Sequence, residues 1–414
     1  MDILILISSL FFLTAISGII NQKYFRLPTT IGIMIVAFIF SLFLFISDYS
    51  LSFFYGYSFA QNILSQMNFP VLLLKGALAF LLFAGSLQVH LDALWTAKYH
   101  VASLAILGTL INILLLSCAF FGLAYFCAIP LPFVWCLILG SIMAPTDPVA
   151  IMNMLSRLGL PNRLQAIFAG ESLFNDGIAL MTFSTLLAIA MENYTPNPQN
   201  LIFIFVQEIF GSILFGITTA FLMLHIIKKT QQNELIILLT LALAAGTYSL
   251  ADHLHMSGPI AVVTSGLLMG NHIHRNPFYI HDHLLSNFWH TIDEILNTLL
   301  FLIIGLQIMI IPFHPTTILM GIINIPFLII CRCLAISISG AFLLGTDDNP
   351  KGLMAILTWG GLRGGISLAI ALSLPNNFPK HEILVITYIG VVFTIIVQGL
   401  TMEKLIKTFY KFKH

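Results

Sequence analysis

Gly170-Glu171-Ser172-Leu173-Phe174-Asn175-Asp176-Gly177 and, upstream of it, Ala144-Pro145-Thr146-Asp147-Pro148-Val149 decide how this chain is read. Both set carboxylates inside stretches otherwise apolar enough to cross a bilayer. A charge at that depth costs several kcal/mol on most scales, so an intramembrane acid marks an ion or proton pathway by default. Here the acids stand beside helix breakers and beside amide and hydroxyl oxygens.

The rest of the chain supports a membrane setting. Of 414 residues, 58% are hydrophobic and 8% charged, and the mean hydropathy is +0.98. A soluble domain carries about 25% charged residues. The expected class is an all-α polytopic membrane protein, one membrane domain over 1–414, with no soluble regulatory domain and no linker long enough to separate one. Net charge is zero and there is no basic or acidic tail, which argues against nucleic acid as a partner. Cys118, Cys127, Cys136, Cys331 and Cys333 lie in apolar segments and read as small core residues. Cys331 and Cys333 would face different sides of a helix, so they make poor metal ligands, and no cofactor is expected. The start, Met1-Asp2-Ile3-Leu4, has no positive leader and reads as the first spanning helix.

A crossing helix needs about 20 mostly apolar residues. That criterion yields thirteen candidates: 3–20, 29–47, 69–87, 99–127, 132–155, 164–190, 201–227, 234–252, 258–271, 293–311, 316–344, 352–374 and 382–407. The basic residues test this order. Thirteen of the seventeen Lys and Arg fall in odd-numbered loops or the C-terminus, and Lys380 alone falls in an even loop. Lys75, Arg332 and Arg363 lie inside spans. By the positive-inside rule the C-terminus is expected in the cytoplasm and the N-terminus outside.

Two spans are interrupted. Span 5 holds Pro145 and Pro148, each lacking an N–H and each disfavouring helix geometry in the residue before it. Carbonyls near Ser141 and Ala144 should lose their usual partners. A proline kink can be purely structural, but an Asp between two prolines favours a polar cavity, the one setting where irregular backbone survives at membrane depth. Span 12 holds Gly360-Gly361-Leu362-Arg363-Gly364-Gly365, a poor helix with a charge in it. The two spans are seven apart and so run in opposite directions. Paired interruptions of this kind are the mark of two inverted repeats with a site near the midplane. Spans 4, 5 and 6 would then match spans 11, 12 and 13.

In span 6, Glu171 and Asn175 are i,i+4 neighbours, as are Ser172 and Asp176, which makes one polar patch on an apolar helix. With Thr146 and Asp147 it supplies the carboxylate, hydroxyl and carbonyl oxygens that a hard monovalent cation wants. A carboxyl in a low-dielectric site also keeps its proton to higher pH than in water. One such group can hold a proton or a cation, and competition between them couples their movements. Arg332 lies among Ile329, Ile330, Cys331 and Leu334 and needs a partner. Glu171 is the expected one, in a structural pair, which leaves Asp176 as the exchanging acid with Asp147 nearby.

A passive monovalent cation channel would also place acids in a membrane, but usually as a ring of sites around a pore. An intramembrane enzyme is a third class, yet no His-Glu-x-x-His motif, zinc-ligand cluster or Ser/His dyad is seen at midplane depth.

At these residues the chain resembles the monovalent cation:proton antiporter-1 family, which includes NhaP-type sodium/proton antiporters. The likeness runs through Thr146-Asp147-Pro148-Val149-Ala150, Leu158-Gly159-Leu160-Pro161, Gly170 to Gly177, Gly266-Leu267-Leu268-Met269-Gly270-Asn271, Leu299 to Leu306 and Gly361 to Leu368. It implies exchange of Na+, or of Li+ or K+, for H+ by alternating access, in a homodimer embedded in lipid in the plasma membrane, the inner membrane of a bacterium. It also implies core-type helices over 99–190 and 316–407 and dimerisation-type helices over 1–98 and 201–311. The cation ligands would map to Thr146, Ser172 and Asp176, with Asp147 close by, and the family's ion pair to Glu171 and Arg332. Members with an Asn-Asp pair, which looks like Asn175-Asp176 here, exchange one cation for one proton. The chain departs from many members in carrying Ala84 and Ala169 where Glu is common.

A loop after span 9 is expected to carry His272, His274, His281, His283 and His290. It reads either as a solvated loop or as a proton sensor, since His titrates near neutrality.

Overall fold

Lipid offers no partner to a free N–H or C=O, so the chain satisfies its backbone within helices. A computed structural model describes residues 3–50, 57, 60–61, 64, 67–127, 131–192, 198–230, 232–275, 282–340, 349–376 and 378–410, and among these there is no strand. Among the described residues ten helices are long and apolar enough to cross a membrane. They fall at the places expected for spans 1–4, 6–8, 10, 11 and 13.

The helices used below are α1 (Ile3–Ile20), α2 (Thr29–Ser50), α3 (Leu78–Leu87), α4 (Thr109–Phe126), α5 (Phe133–Ile142), α6 (Val149–Arg157), α7 (Asn162–Glu192), α8 (Pro198–Ile227) and α9 (Asn233–His253). They continue with α10 (Gly258–Arg275), α11 (Asp282–Leu306), α12 (Pro315–Gly340), α13 (Pro350–Trp359), α14 (Gly365–Ser373), α15 (Lys380–Phe393) and α16 (Gly399–Phe409). Expected span 5 is the broken pair α5/α6, span 12 the broken pair α13/α14, and span 9 the 18-residue α10.

Packing sorts these helices into two sets. In one, α4 packs on α5 and α12, α7 on α5, α12 on α15, and α14 on α15. In the other, α11 packs on α2 and α3, α10 on α3, α8 and α9, and α1 on α2. Small residues permit the closest approaches. A Cβ on Gly270 of α10 would lie 2.5 Å from the Leu87 carbonyl oxygen of α3. The sets meet where α7 touches α10 and α3, and where α11 touches α14.

Three expectations change. Span 10 begins at Asp282, eleven residues before the expected 293, because its first turns are helical despite His290, Asp293 and Glu294. The histidines do not share one loop: His272 and His274 end α10, and His283 and His290 begin α11. His281 lies outside the described residues. Among the cysteines, Cys136 and Cys331 are buried, whereas Cys118 is exposed on the helical surface. An apolar thiol facing lipid costs nothing there, so burial was not required.

Candidate ion site

The site begins with two failed helices. In α5 the ladder stops at Met143, whose N–H donates to Leu139 O at 3.0 Å. The prolines at 145 and 148 have no N–H to offer. Backbone 144–148 is unwound, and α6 restarts with Pro148 O accepting from Ile151 and Met152. In α13 the Gly360 N–H closes the last turn on Ile356 O at 2.7 Å, residues 361–364 are unwound, and α14 restarts at Gly365.

The two interruptions meet. The Asp147 N–H donates to Leu362 O at 2.8 Å. Arg363, 1% exposed, turns its guanidinium into the other break, where Nη1 donates to the carbonyl of Ala144 and, at 3.2 Å, to that of Pro145. The freed carbonyls are therefore those of Ala144 and Pro145. Ser141 O, whose usual i+4 partner would be Pro145, accepts instead from the Ala144 N–H at 3.3 Å. Gly364 must lack a side chain, since a Cβ there would lie 2.8 Å from the Asp147 Cβ.

Beside this crossing runs α7, with Asp176 near the middle of its 31 residues. Arg332 from α12 reaches Glu171 in a bidentate pair, Nη1 to Oε1 at 2.9 Å and Nη2 to Oε2 at 2.8 Å, both side chains buried. Asn175 links that pair to the break: its Nδ2 donates to Glu171 Oε1 at 3.1 Å and to Thr146 Oγ1 at 2.7 Å. Its Oδ1 accepts from the Thr146 N–H at 3.4 Å. The Thr146 and Ser172 hydroxyl oxygens are 3.1 Å apart. Asp176 is 4% exposed, and its Oδ1 has no hydrogen-bond partner among the described residues. The charges bearing on it are the carboxylates of Asp147 and Glu171 and, opposing them, the guanidinium of Arg363.

Asp176, Asp147, Thr146 and Pro145 line a cavity of about 60 Å³ together with Gly364 and Gly365. That is room for a small cation and a few waters. Ser172 and Asn175 stand behind the wall, and the Glu171–Arg332 pair stands behind them. The structure thus brings Thr146, Asp147, Glu171, Ser172, Asn175, Asp176, Arg332 and Arg363 to one crossing. It adds two that the sequence reading passed over, Asp293 and Asn297 of α11, which line the same cavity. Asn297 Nδ2 donates to Asp293 Oδ1 at 2.9 Å. A helical i,i+4 Asp/Asn pair was the available signal, obscured because Asp293 fell on the expected boundary of span 10. Ala84 is fully buried and is not among the cavity residues. Oxygen ligands, a carboxyl with one oxygen free of hydrogen bonds and a cavity of this size suit a hard monovalent cation and a proton in competition.

The family model described as "Sodium/hydrogen exchanger, transmembrane" matches residues 10–408. The Na(+)/H(+) antiporter NhaP of Pseudomonas aeruginosa is 36% identical over 422 residues, covering 98% of this chain and 96% of that protein. The Na(+)/H(+) antiporter NhaH of Halobacillus dabanensis is 30% identical over 355 residues, covering 84% and 86%. In three dimensions the chain resembles the sodium proton antiporter MjNhaP1 of Methanocaldococcus jannaschii at pH 8, with a TM-score of 0.76, 19% identity and 99% of each chain covered. At that identity the likeness concerns the fold.

Proposed function

Since this chain belongs to the transmembrane sodium/hydrogen exchanger family, we propose that it exchanges Na+, with Li+ and K+ as alternative cations, for H+ and that Asp176 is the group both bind. The observation that carries this reading is the unpartnered Oδ1 of a buried carboxyl at the middle of α7, on a cavity lined by Thr146 and Asp147. A cation there would take oxygens from Asp176 and Thr146, with Asp147 close by and Ser172, its hydroxyl 3.1 Å from that of Thr146, turning in as a further ligand. Asn175 fixes Thr146 by two hydrogen bonds and so sets the cavity's shape. Glu171 and Arg332 hold each other and do not exchange.

The stoichiometry is one cation for one proton. The helix set containing α4–α7 and α12–α16 is the moving core, and α1–α3 with α8–α11 form the wall it moves against and the homodimer contact. The wall and core alternately expose the cavity to the two sides, with the C-terminus in the cytoplasm.

Asp176→Asn tests the reading. Purified and reconstituted in vesicles, the variant should fold and melt like the parent yet dissipate no pH gradient when Na+ is added. Exchange at more than a residual rate would remove Asp176 from the role.

A further inference from the structure

Of the cavity residues, seven come from the wall helices and their flanks: Leu78, Leu81, Leu82 and Gly85 around α3, and Asp293, Asn297 and Leu300 on α11. Only Asp293 and Asn297 among them are polar. An acid on an otherwise apolar wall, opposite a site built entirely on other helices, calls for a reason.

Three features supply one. First, Asp293 and Asp147 are half-buried, while Asp176 is 4% exposed, so the acids form a gradient of depth within one cavity. Second, Asp293 lies nine residues into the span Leu284–Met309, about 14 Å from its first end at 1.5 Å per residue. Asp176 stands fourteen residues into the span Asn162–Met191, about 21 Å along. Third, Asn297 holds one Asp293 oxygen at 2.9 Å, which fixes a side chain that would otherwise rotate freely. The cavity also contains the buried Asp176 Oδ1 without a partner, a ready second station.

We propose that Asp293, fixed by Asn297, is a capture site for the transported cation: it takes a hydrated monovalent cation first and passes it to Asp176. A negative group at the mouth of a low-dielectric cleft raises the local concentration of its counter-ion. Because α11 packs on α2 and α3, the acid stays on the wall when the cation leaves it. The contact with the opposing helix is made by Leu300, seated where Gly365 has no side chain. Asp293 thus sets the apparent affinity for the cation and leaves the crossing step to Asp176. This rests on the Asp176 reading above.

The test uses the full chain in proteoliposomes, with Na+ and Li+ as probes and Asp176→Asn as control. Asp293→Asn should raise the KM for Na+ about tenfold, equivalent to ~1.4 kcal/mol, with the maximal rate within about twofold of the parent. Asp293→Glu should restore KM, and Asn297→Ala should raise it by a smaller factor. In detergent, the Na+ concentration giving half-maximal thermal stabilisation should move by the same factor as KM. A purely structural role would lower Tm at every Na+ concentration without moving that midpoint, and would overturn the proposal. So would an unchanged KM, or a fall in maximal rate alone. If Asp176→Asn abolishes exchange while Asp293→Asn leaves KM alone, capture fails and the exchange reading stands. If Asp176→Asn still exchanges and Asp293→Asn does not, both fail, and Asp293 is the exchanging acid.

Discussion

The backbone N–H of Asp147 donates to the carbonyl oxygen of Leu362 at 2.8 Å. This bond ties the broken helix α5/α6 to the broken helix α13/α14 at the point where each has lost its own ladder. Neither interruption is self-sufficient: one offers stray carbonyls, the other a guanidinium and stray glycines. Joined, they pair the Ala144 and Pro145 carbonyls with Arg363 and tie down the main chain at Asp147.

Arg363 is expected to be structural as well as electrostatic. It serves two carbonyls, Ala144 and Pro145, in a fully buried setting. Arg363→Ala would leave both without a donor, at about 1–3 kcal/mol for each buried group orphaned. The variant should melt well below the parent in detergent and transport little. Arg363→Lys keeps the charge but not the fork, and should recover part of the melting temperature. An alanine variant with the parent's melting temperature would show that the carbonyls find water instead.

Glu171 and Arg332 should behave as a unit. Removing one partner of a buried pair typically costs about 3–5 kcal/mol. Glu171→Gln and Arg332→Ala should each lower the melting temperature more than Asp176→Asn does. The double variant should be less destabilised than the sum of the two, because neither charge is then left alone. Equal melting temperatures for all three single variants would count against the pair as a stabilising element.

Much of this site could be read in the chain itself. The 171–176 patch carries helical spacing, Pro145 and Pro148 announce their own break, and a lone Arg332 among isoleucines demands an acid. Those are local signals. Arg363 was visible as a charge, but its partners are main-chain carbonyls, which have no side-chain signature. Asp293 was hidden by a boundary: the expected span began at that residue, whereas the helix begins at Asp282 and carries Asp293 on the face that lines the cavity. Which residues of different helices face one void is set by tertiary packing, and hydropathy along one chain does not encode it.

Gly364 should not tolerate even one added carbon. Its Cβ would meet the Asp147 Cβ at 2.8 Å, and the Asp147 main chain is fixed to Leu362. Overpacking of this kind costs about 1–3 kcal/mol. Gly364→Ala is expected to reduce exchange severalfold while the protein still purifies as a folded species. Parent-like kinetics in the vesicle assay would mean that Asp147 can shift freely, and so does not shape the site.

Proton and cation should compete. If one carboxyl serves both, the apparent KM for Na+ on the acidic limb should rise about tenfold per unit fall in pH, by mass action at a shared site. The maximal rate at saturating Na+ should change far less over the same range. Initial rates across a grid of pH and Na+ would reveal this, and a KM independent of pH would point to separate sites.

Exchange should be electroneutral. On the proposed reading Asp176 carries either a proton or a monovalent cation, and Asn175 beside it is uncharged. Glu171 is occupied by Arg332, and Asp147 is expected to keep one protonation state throughout. Asp293 sits on the wall and, on the capture reading, does not cross with the cargo. The moving part then bears the same net charge in both directions. A membrane potential imposed with K+ and valinomycin should leave the initial rate of Na+-driven proton movement unchanged. A rate that climbs with potential of one sign would require a second acid that titrates during the cycle. Asp147 and Asp293 are the candidates, and the two can be told apart. Asp147→Asn would abolish the voltage dependence if Asp147 travels charged with the core. Asp293→Asn would abolish it if the wall acid releases its proton as the cation passes.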